Sequence, residues 1–454
     1  MKQPKILLVS ANQHTDPYPV YPLGISYIRT YLSGKLPDYI IDIFDFNLSD
    51  INSFIVKLKT FTPDYVGISL RNIDGVNSFD QKSFTGGYRK IIEALRANHK
   101  CTVIIGGAGF SIYPERLFEY LNPDFGVYGE GEESFCNLIQ KLEQKTDYSS
   151  IEGLVYRKNE KIIFNGRNHY CKSLALQIEP EIVNYYWENS GMLNIQTKRG
   201  CPYNCIYCTY PVIEGKKVRT LDADLIVKNL TELYTQRNIN YIFFTDSVFN
   251  IKNDYNIELA EKIIASGINI KWGAYFAPVN LPEDLLSILK RSGLMHIEFG
   301  TESLSDVQLK NYGKHFTVDD IVKTSALCNK LDIYFAHFMI LSGYGETEET
   351  LEETYENSKR IFKSVFFPYV GMRIYPGTKL QQIAINEGKI KAEDDLLEPV
   401  YYISDKVNQA TIKEKAQKTD KAWVFPDDVM LDIIDRLRKK RNKKGPLWEY
   451  LRKS

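Results

Sequence analysis

The sequence predicts two α/β domains in tandem. The first is a Rossmann-like, doubly wound parallel sheet over residues 1–150, and the second an open, partial (β/α)6 barrel of the TIM type over 193–380. A hairpin and linker over 151–192 join them, and a small, mostly helical region over 381–454 closes the chain. Three observations predict this. The chain has 454 residues, more than one compact core usually holds. Short apolar runs alternate with helical patterns through the first third, and that alternation makes parallel sheets. The alternation restarts at Leu193, where the first strand runs directly into Cys201, Cys205 and Cys208.

Composition narrows the partners. Apolar residues make up 44% and charged residues 25%, an ordinary globular balance. The 57 basic residues cancel the 57 acidic ones, so no global field favours nucleic acid or an anionic membrane. No apolar run approaches the length that spans a bilayer. The short run KILLVS near the start reads as a strand rather than as the core of a signal peptide. Seven cysteines is an odd count, and Cys101, Cys136, Cys171 and Cys328 are scattered, which argues against a disulfide framework and for a reducing cytoplasm.

In the first domain the expected strands are Lys5–Ser10, Ile40–Phe46, Tyr65–Leu70, Thr102–Phe110 (entering a Gly-rich turn) and one within Phe125–Ser134. Helices are expected at Pro22–Leu32, where Pro22 suits a first turn, at Ile51–Phe61, and at Gly87–Asn98 with Tyr88, Ile91, Ile92 and Leu95 on one face. Ligands of such sheets bind outside the carboxyl ends of the strands. The candidate loops are therefore 10–23, 69–77, 106–111 and 129–133. Gly106 and Gly107 permit close backbone approach of a ligand, although turns also need glycine for geometry alone.

Ile151–Arg167 alternates apolar and polar residues and reads as a hairpin turning at Lys158–Glu160. The stretch after it, with Pro180, Tyr185, Tyr186 and Trp187, reads as an irregular linker. The second domain is expected to hold six strands, at 193–198, 241–246, 270–276, 296–302, 334–342 and 365–374, with five helices between them. Active sites of such barrels lie at the carboxyl ends of the strands, which is where the three cysteines fall. In the C-terminal region an amphipathic helix is expected over 429–440.

The spacing Cys-x3-Cys-x2-Cys lets three thiolates converge on soft metal. A structural zinc site usually takes four protein ligands, and a ferredoxin-type cluster four cysteines. No fourth Cys or His follows within ten residues. A cubane iron–sulfur cluster on three thiolates leaves one iron open, which suits chemistry rather than scaffolding. Three buried apolar cysteines, or zinc completed by a distant His, are the bland alternatives.

In the first domain PLGISYIRTYL, VGIS, IIGGAGFS and VYGEGEESF resemble, in order and spacing, the cobalamin-binding domain at the N-terminus of a large enzyme group. The resemblance implies cofactor contacts from Ser10, Leu23, Gly24, Ser69 and Arg71, and from Gly106, Gly107, Gly129 and Glu130. The Asp-x-His-x-x-Gly motif that ligates cobalt from below is absent, and Arg71 or a water is the candidate for that side. A salt bridge from Arg71 to Asp74 or Asp80 is the structural alternative.

In the second domain the cysteine triad, with Tyr207 before the third Cys, resembles the radical S-adenosylmethionine (SAM) superfamily. That implies a [4Fe-4S] cluster on Cys201, Cys205 and Cys208, with SAM chelating the fourth iron and yielding a 5′-deoxyadenosyl radical. The resemblance places Asp246 at the SAM amino group and Glu302 at its ribose or amino-acid part. LSGYGET (341–347) resembles the segment that supports adenine, and RIYPGTKL (373–380) the YPGT segment of the cobalamin-dependent branch. Helix capping by Asp246 and an ion pair of Glu302 with Lys310 or another nearby cation are the plain alternatives, and His337 and Arg219 read as a core residue and an exposed charge at least as well as site residues.

Together these resemblances imply a cobalamin-dependent radical SAM enzyme, most simply a methyltransferase acting on an unactivated carbon. A small-molecule or peptide substrate and an electron donor such as flavodoxin or ferredoxin are implied with it. Ring contraction or oxidative cyclisation without methyl transfer is the second expectation, and a non-catalytic cobalamin- or metal-binding sensor the third.

Overall fold

The structure is a computed structural model that describes residues 3–171, 176–426, 432–433, 436–437, 439–440 and 444–451. Its first sheet contains β1 Lys5–Ser10, β2 Ile40–Asp45, β3 Tyr65–Ser69, β4 Thr102–Gly106 and β5 Phe125–Val127, all parallel to one another. Helices cover both faces. That is why β1, β3 and β4 read as unbroken apolar runs and are almost entirely buried.

The hairpin does not stand apart as a connector. β6 Leu154–Lys158 pairs antiparallel with β5, and β7 Lys161–Phe164 with β6, so the sheet has seven strands in the order β2-β1-β3-β4-β5-β6-β7. Asn159 and Glu160 both take positive φ, as a two-residue hairpin loop requires. The expected irregular linker is also corrected. Pro180–Ser190 is a helix with Pro180 in its first turn and Gly191 as its left-handed C-cap. Ile182, Val183, Tyr186 and Trp187 form its buried face, a 3.6-residue pattern that the aromatic run obscured.

The second sheet is built from β8 Leu193–Ile195, β11 Tyr241–Phe244, β12 Lys271–Phe276, β13 Leu294–Glu302, β14 Tyr334–Leu341 and β15 Val365–Val370. Between the first two lie β9 Lys198–Arg199 and β10 Arg219–Thr220, an antiparallel pair that frames the cysteine loop. The expected first strand over 193–198 is therefore split. After β15 come β16 Met372–Arg373 and β17 Tyr401–Tyr402, paired antiparallel, and then β18 Ala422–Trp423, which adds a seventh parallel strand beside β15.

The six expected strands are all present, and a seventh extends the sheet. The regular structure after residue 380 is mostly helical among the described residues, with the helix Lys379–Asn386 running into it, a helix at Gln409–Gln417 and a 3-10 turn at Leu447–Leu451, against the two-residue strands β17 and β18. β18 is too short for any alternation to show. Of the helix expected over 429–440, residues 432–433, 436–437 and 439–440 are described and are helical, and the rest lies outside the described residues.

The two sheets share a charged seam. Arg199 meets Glu132 at 2.9 Å and Glu130 at 3.5 Å, and Arg219 meets Glu130 at 2.5 Å. Tyr186 donates to Asp45 on β2 at 2.6 Å. Arg373 donates to Asp74 at 2.8 Å, with both side chains almost fully buried. These contacts face the carboxyl ends of the two sets of strands toward one another.

Candidate functional site

The cysteine loop is fixed by backbone chemistry before any side chain acts. Gly200 sits at φ +93, and a Cβ there would lie 2.3 Å from the carbonyl oxygen of Lys217, so only glycine fits. Its N–H donates to Glu214 and its carbonyl accepts from Ser247. Further along, the Cys201 N–H donates to Gly215, the Ile206 N–H to Tyr312, and the Leu380 N–H to the Ile206 carbonyl. The loop is thus held from three directions. Leu380 opens the helix that follows the YPGT segment, which gives that segment a structural task.

All three thiols are free, Cys201 buried and the other two half-buried. Burial raises the pKa of Cys201 and pushes that of Cys208 to about 12. Such thiols stay protonated unless a metal replaces the proton. Among the described residues no three His, Cys, Asp or Glu side chains close around one metal ion. A cubane cluster takes each thiolate on a separate iron, so its donors stand farther apart than around one ion. The donor set fits such a cluster.

Beside the loop, Tyr207 donates to Glu302 at 2.8 Å, and Lys314 reaches the same carboxylate oxygen at 3.3 Å. Glu302 holds a positive φ of 68° at the end of β13, a strained backbone of the kind that concentrates at functional sites. Its partner is Lys314 rather than Lys310. Lys314 was missed from the sequence because nothing near it in the chain marks its charge as directed at Glu302.

Asp246 does something other than expected. It accepts from the backbone N–H of Thr197 and of Lys198 and pairs with the Lys198 ammonium at 2.9 Å, with both side chains buried. Its oxygens are spent on clamping the chain just before the cysteine loop. It caps no helix either, since the next one starts at Asn253 behind Lys252.

In the first domain a cavity of about 210 Å³ opens at the carboxyl edge of the sheet. Gly24, Ser69, Gly106, Gly107, Gly129 and Glu130 all line it, over an apolar floor that includes Ile68, Ile105 and Phe135. A Cβ on Gly24 would meet nothing within 4 Å and would project into open space, so this glycine keeps room for a ligand. Gly107 is different: at φ +96 its Cβ would sit 2.6 Å from the Leu70 carbonyl oxygen, so the turn itself demands glycine.

Two other expected contacts, Ser10 and Leu23, lie elsewhere. Ser10 is buried against Asp45, whose carboxyl it hydrogen-bonds. Leu23 packs on the apolar core of the second sheet. Glu130 lines the cavity while pairing with Arg219, which is therefore not an exposed charge. Arg71 makes no ion pair with Asp74, which Arg373 takes instead. The charge of Arg71 acts on Tyr210 and Tyr275, across the seam. His337 is a satisfied core residue: Thr301 and Ser325 meet its two nitrogens, and burial lowers its pKa to about 3.

The segment after β14 is built around Glu346. Its carboxylate accepts from the Ser342 N–H, its other oxygen has no partner, and burial raises its pKa to about 8. The folded chain therefore holds this proton over a range where the unfolded chain has lost it, and stability falls as pH rises from the ordinary carboxyl range toward 8. Glu346→Gln is expected to gain on the parent by up to about 1.4 kcal/mol per pH unit across that window, read as urea midpoints at several pH values.

The comparisons with known proteins divide the chain along the same two sheets. Residues 10–139 match the family model for the B12 binding domain, and residues 195–357 that for the radical SAM superfamily. An uncharacterized methyltransferase of Pyrococcus horikoshii is 27% identical over 85% of this chain and 84% of its own length. The anaerobic magnesium-protoporphyrin IX monomethyl ester cyclase of Rubrivivax gelatinosus is 24% identical over 78% of this chain and 65% of its own. The radical SAM methyltransferase TsrM of Kitasatospora setae, solved with tryptophan and a SAM analogue, superposes with a TM-score of 0.88 over 98% of this chain and 97% of that one, at 19% identity. At that identity the likeness establishes the fold. With both family models matched, in this order and one on each sheet, the chain belongs to the radical SAM enzymes that carry a B12-binding domain.

Proposed function

We propose that the protein is a cobalamin-dependent radical SAM methyltransferase that alkylates a carbon of a small-molecule or peptide substrate. The observation that carries this reading is the opposition of two sites: the three-thiol loop and the glycine-lined cavity meet across the Arg199–Glu130–Glu132 seam. Cys201, Cys205 and Cys208 would hold a [4Fe-4S] cluster. Glu302, positioned by Tyr207 and Lys314, and the backbone of 342–347 would hold SAM. The cavity around Gly24 and Gly107 would hold the nucleotide tail of cobalamin, with Arg71 toward the cobalt. Bound together, these groups supply one-electron and methyl-carrier chemistry, while the protein orients them and excludes water.

The likeness to the Pyrococcus methyltransferase and to TsrM supports methyl transfer. The likeness to the protoporphyrin ester cyclase favours a second reading, oxidative cyclisation with the same cofactors. An electron donor of the flavodoxin or ferredoxin kind belongs to either. No described helix is long and apolar enough to cross a membrane. We take the free state of all seven cysteines to suit a reducing, cytoplasmic setting.

The test is anaerobic reconstitution with iron, sulfide and cobalamin, followed by assay of SAM-derived products. S-adenosylhomocysteine together with 5′-deoxyadenosine supports methyl transfer. Deoxyadenosine alone supports cyclisation, and neither product would sink both. The cavity has its own test. A Cβ at Gly24 meets no atom within 4 Å, so the side chain of Gly24→Leu starts into open space, and cobalamin retention is expected to fall by about tenfold as it fills the opening, with circular dichroism checking that the fold is kept. Bound cobalamin is read from its visible absorbance after desalting.

A further inference from the structure

The inner face of the second sheet carries rings on five adjacent strands: Phe243 on β11, Tyr275 on β12, His296 on β13, Phe338 on β14 and Phe367 on β15. Parallel register sets Phe243 beside Gly273, Gly273 beside His296, Tyr275 beside Glu298, and Phe338 beside Phe367. The rings touch in series: Phe243 to Tyr275 at 4.9 Å, Tyr275 to Phe338 at 6.4 Å, and Phe338 to Phe367 at 5.3 Å between centroids. The face opens toward the carboxyl ends of the strands and closes below. Tyr275 is 38% exposed, Glu298 3% and His296 0%.

The floor is closed by the C-terminal 3-10 turn. Trp448 donates its indole N–H to Glu298 at 3.0 Å and sets its ring edge-on to His296. His296 itself is built in. A Cβ on Gly273 would lie 2.0 Å from its ring, so that glycine makes the space it fills. Its Nδ1 meets the Tyr241 hydroxyl at 2.8 Å, and its buried Nε2 has no partner.

Glu298 is thus a buried carboxyl with one neutral donor and, among the described residues, no Lys or Arg within ion-pair distance. Burial raises its pKa to about 7 and lowers that of His296 to about 3, so the imidazole is neutral and supplies no counter-charge. A buried acid without a cation is costly unless a ligand completes it. Aromatic faces above it suit a cation and the apolar body attached to it.

We propose that this inner face is the acceptor-substrate pocket and that Glu298 is its specificity residue, binding a protonated amine on a substrate whose apolar body lies along Tyr275, Phe338 and Phe367. The assignment rests on the reading of the chain as a radical SAM enzyme with its reaction chamber at this end of the barrel. It names the chemical class of the substrate, which that reading leaves open.

Tryptamine and 3-methylindole test it, because they share the indole ring and differ in the ammonium group. Dissociation constants are measured by ligand-observed NMR on the reconstituted holoenzyme. Wild-type protein is expected to prefer tryptamine by about tenfold or more. Glu298→Gln, which keeps an acceptor for Trp448, is expected to bring the two probes within about threefold of each other. Tyr275→Leu, at a position exposed enough to spare folding, is expected to weaken both probes together. The proposal is overturned if the wild type shows no preference, or if Glu298→Gln retains it. Failure to take up iron and cobalamin would sink the proposed function instead. In that event the same probe comparison is made on the protein as purified, where a lost or unchanged preference in Glu298→Gln decides the pocket separately.

Discussion

Cys205→Ala is expected to abolish SAM cleavage to background while leaving the fold intact. Cys205 is half-buried and its side chain supports no core packing, so removing it costs little stability. The loop around it is held by Gly215, Tyr312 and Leu380 through backbone hydrogen bonds that the substitution does not touch. Two remaining thiols cannot hold a cluster that needs three protein ligands. Iron and acid-labile sulfide should fall to near zero in the reconstituted variant, and circular dichroism should match the parent. Retained iron with retained SAM cleavage would refute the assignment of the triad. Cobalamin uptake should survive, because none of the three thiols lines the first cavity. That separation distinguishes a lost cluster from a lost fold.

Arg373→Met is expected to be the most destabilising of the changes considered, by about 3–5 kcal/mol. Arg373 lies on β16 and reaches across to Asp74, whose side chain is fully buried. It also donates to the Leu396 and Ile374 carbonyls and to the Tyr113 hydroxyl. Methionine fills much of the space but leaves the Asp74 carboxylate buried without its cation. The pair Arg373→Met with Asp74→Leu should recover part of the loss, because removing both charges also removes the desolvation cost. Urea unfolding midpoints for the two single variants and the double variant measure this. Equal losses in the single and double variants would show that packing, not charge, makes this contact.

Much of the fold was legible because it depends on local periodicity. The parallel strands of both sheets are apolar runs bounded by turn residues, and the helices between them carry one apolar stripe. The misread parts share a physical cause. The aromatic run at Tyr185–Trp187 masked a helical face, β18 is too short to alternate, and the hairpin over 151–167 was recognised while its pairing with β5 was not. Strand pairing is a relation between distant segments, and no spacing within one of them encodes it.

The site divides in the same way. The order Arg199–Gly200–Cys201 with Cys205 and Cys208 is a local pattern whose chemistry follows from residue type and spacing, so the sequence by itself determined the three-thiol loop and the glycine-rich edge of the first sheet. Only the tertiary structure decided where each charge is spent. It turned Asp246 inward to Lys198, gave Glu302 to Tyr207 and Lys314, matched Glu130 with Arg219, and set Glu298 against the Trp448 indole with no cation among the described residues. Burial and the identity of a partner dozens of residues away set the cost of an ionised group, and neither quantity exists until the chain is packed.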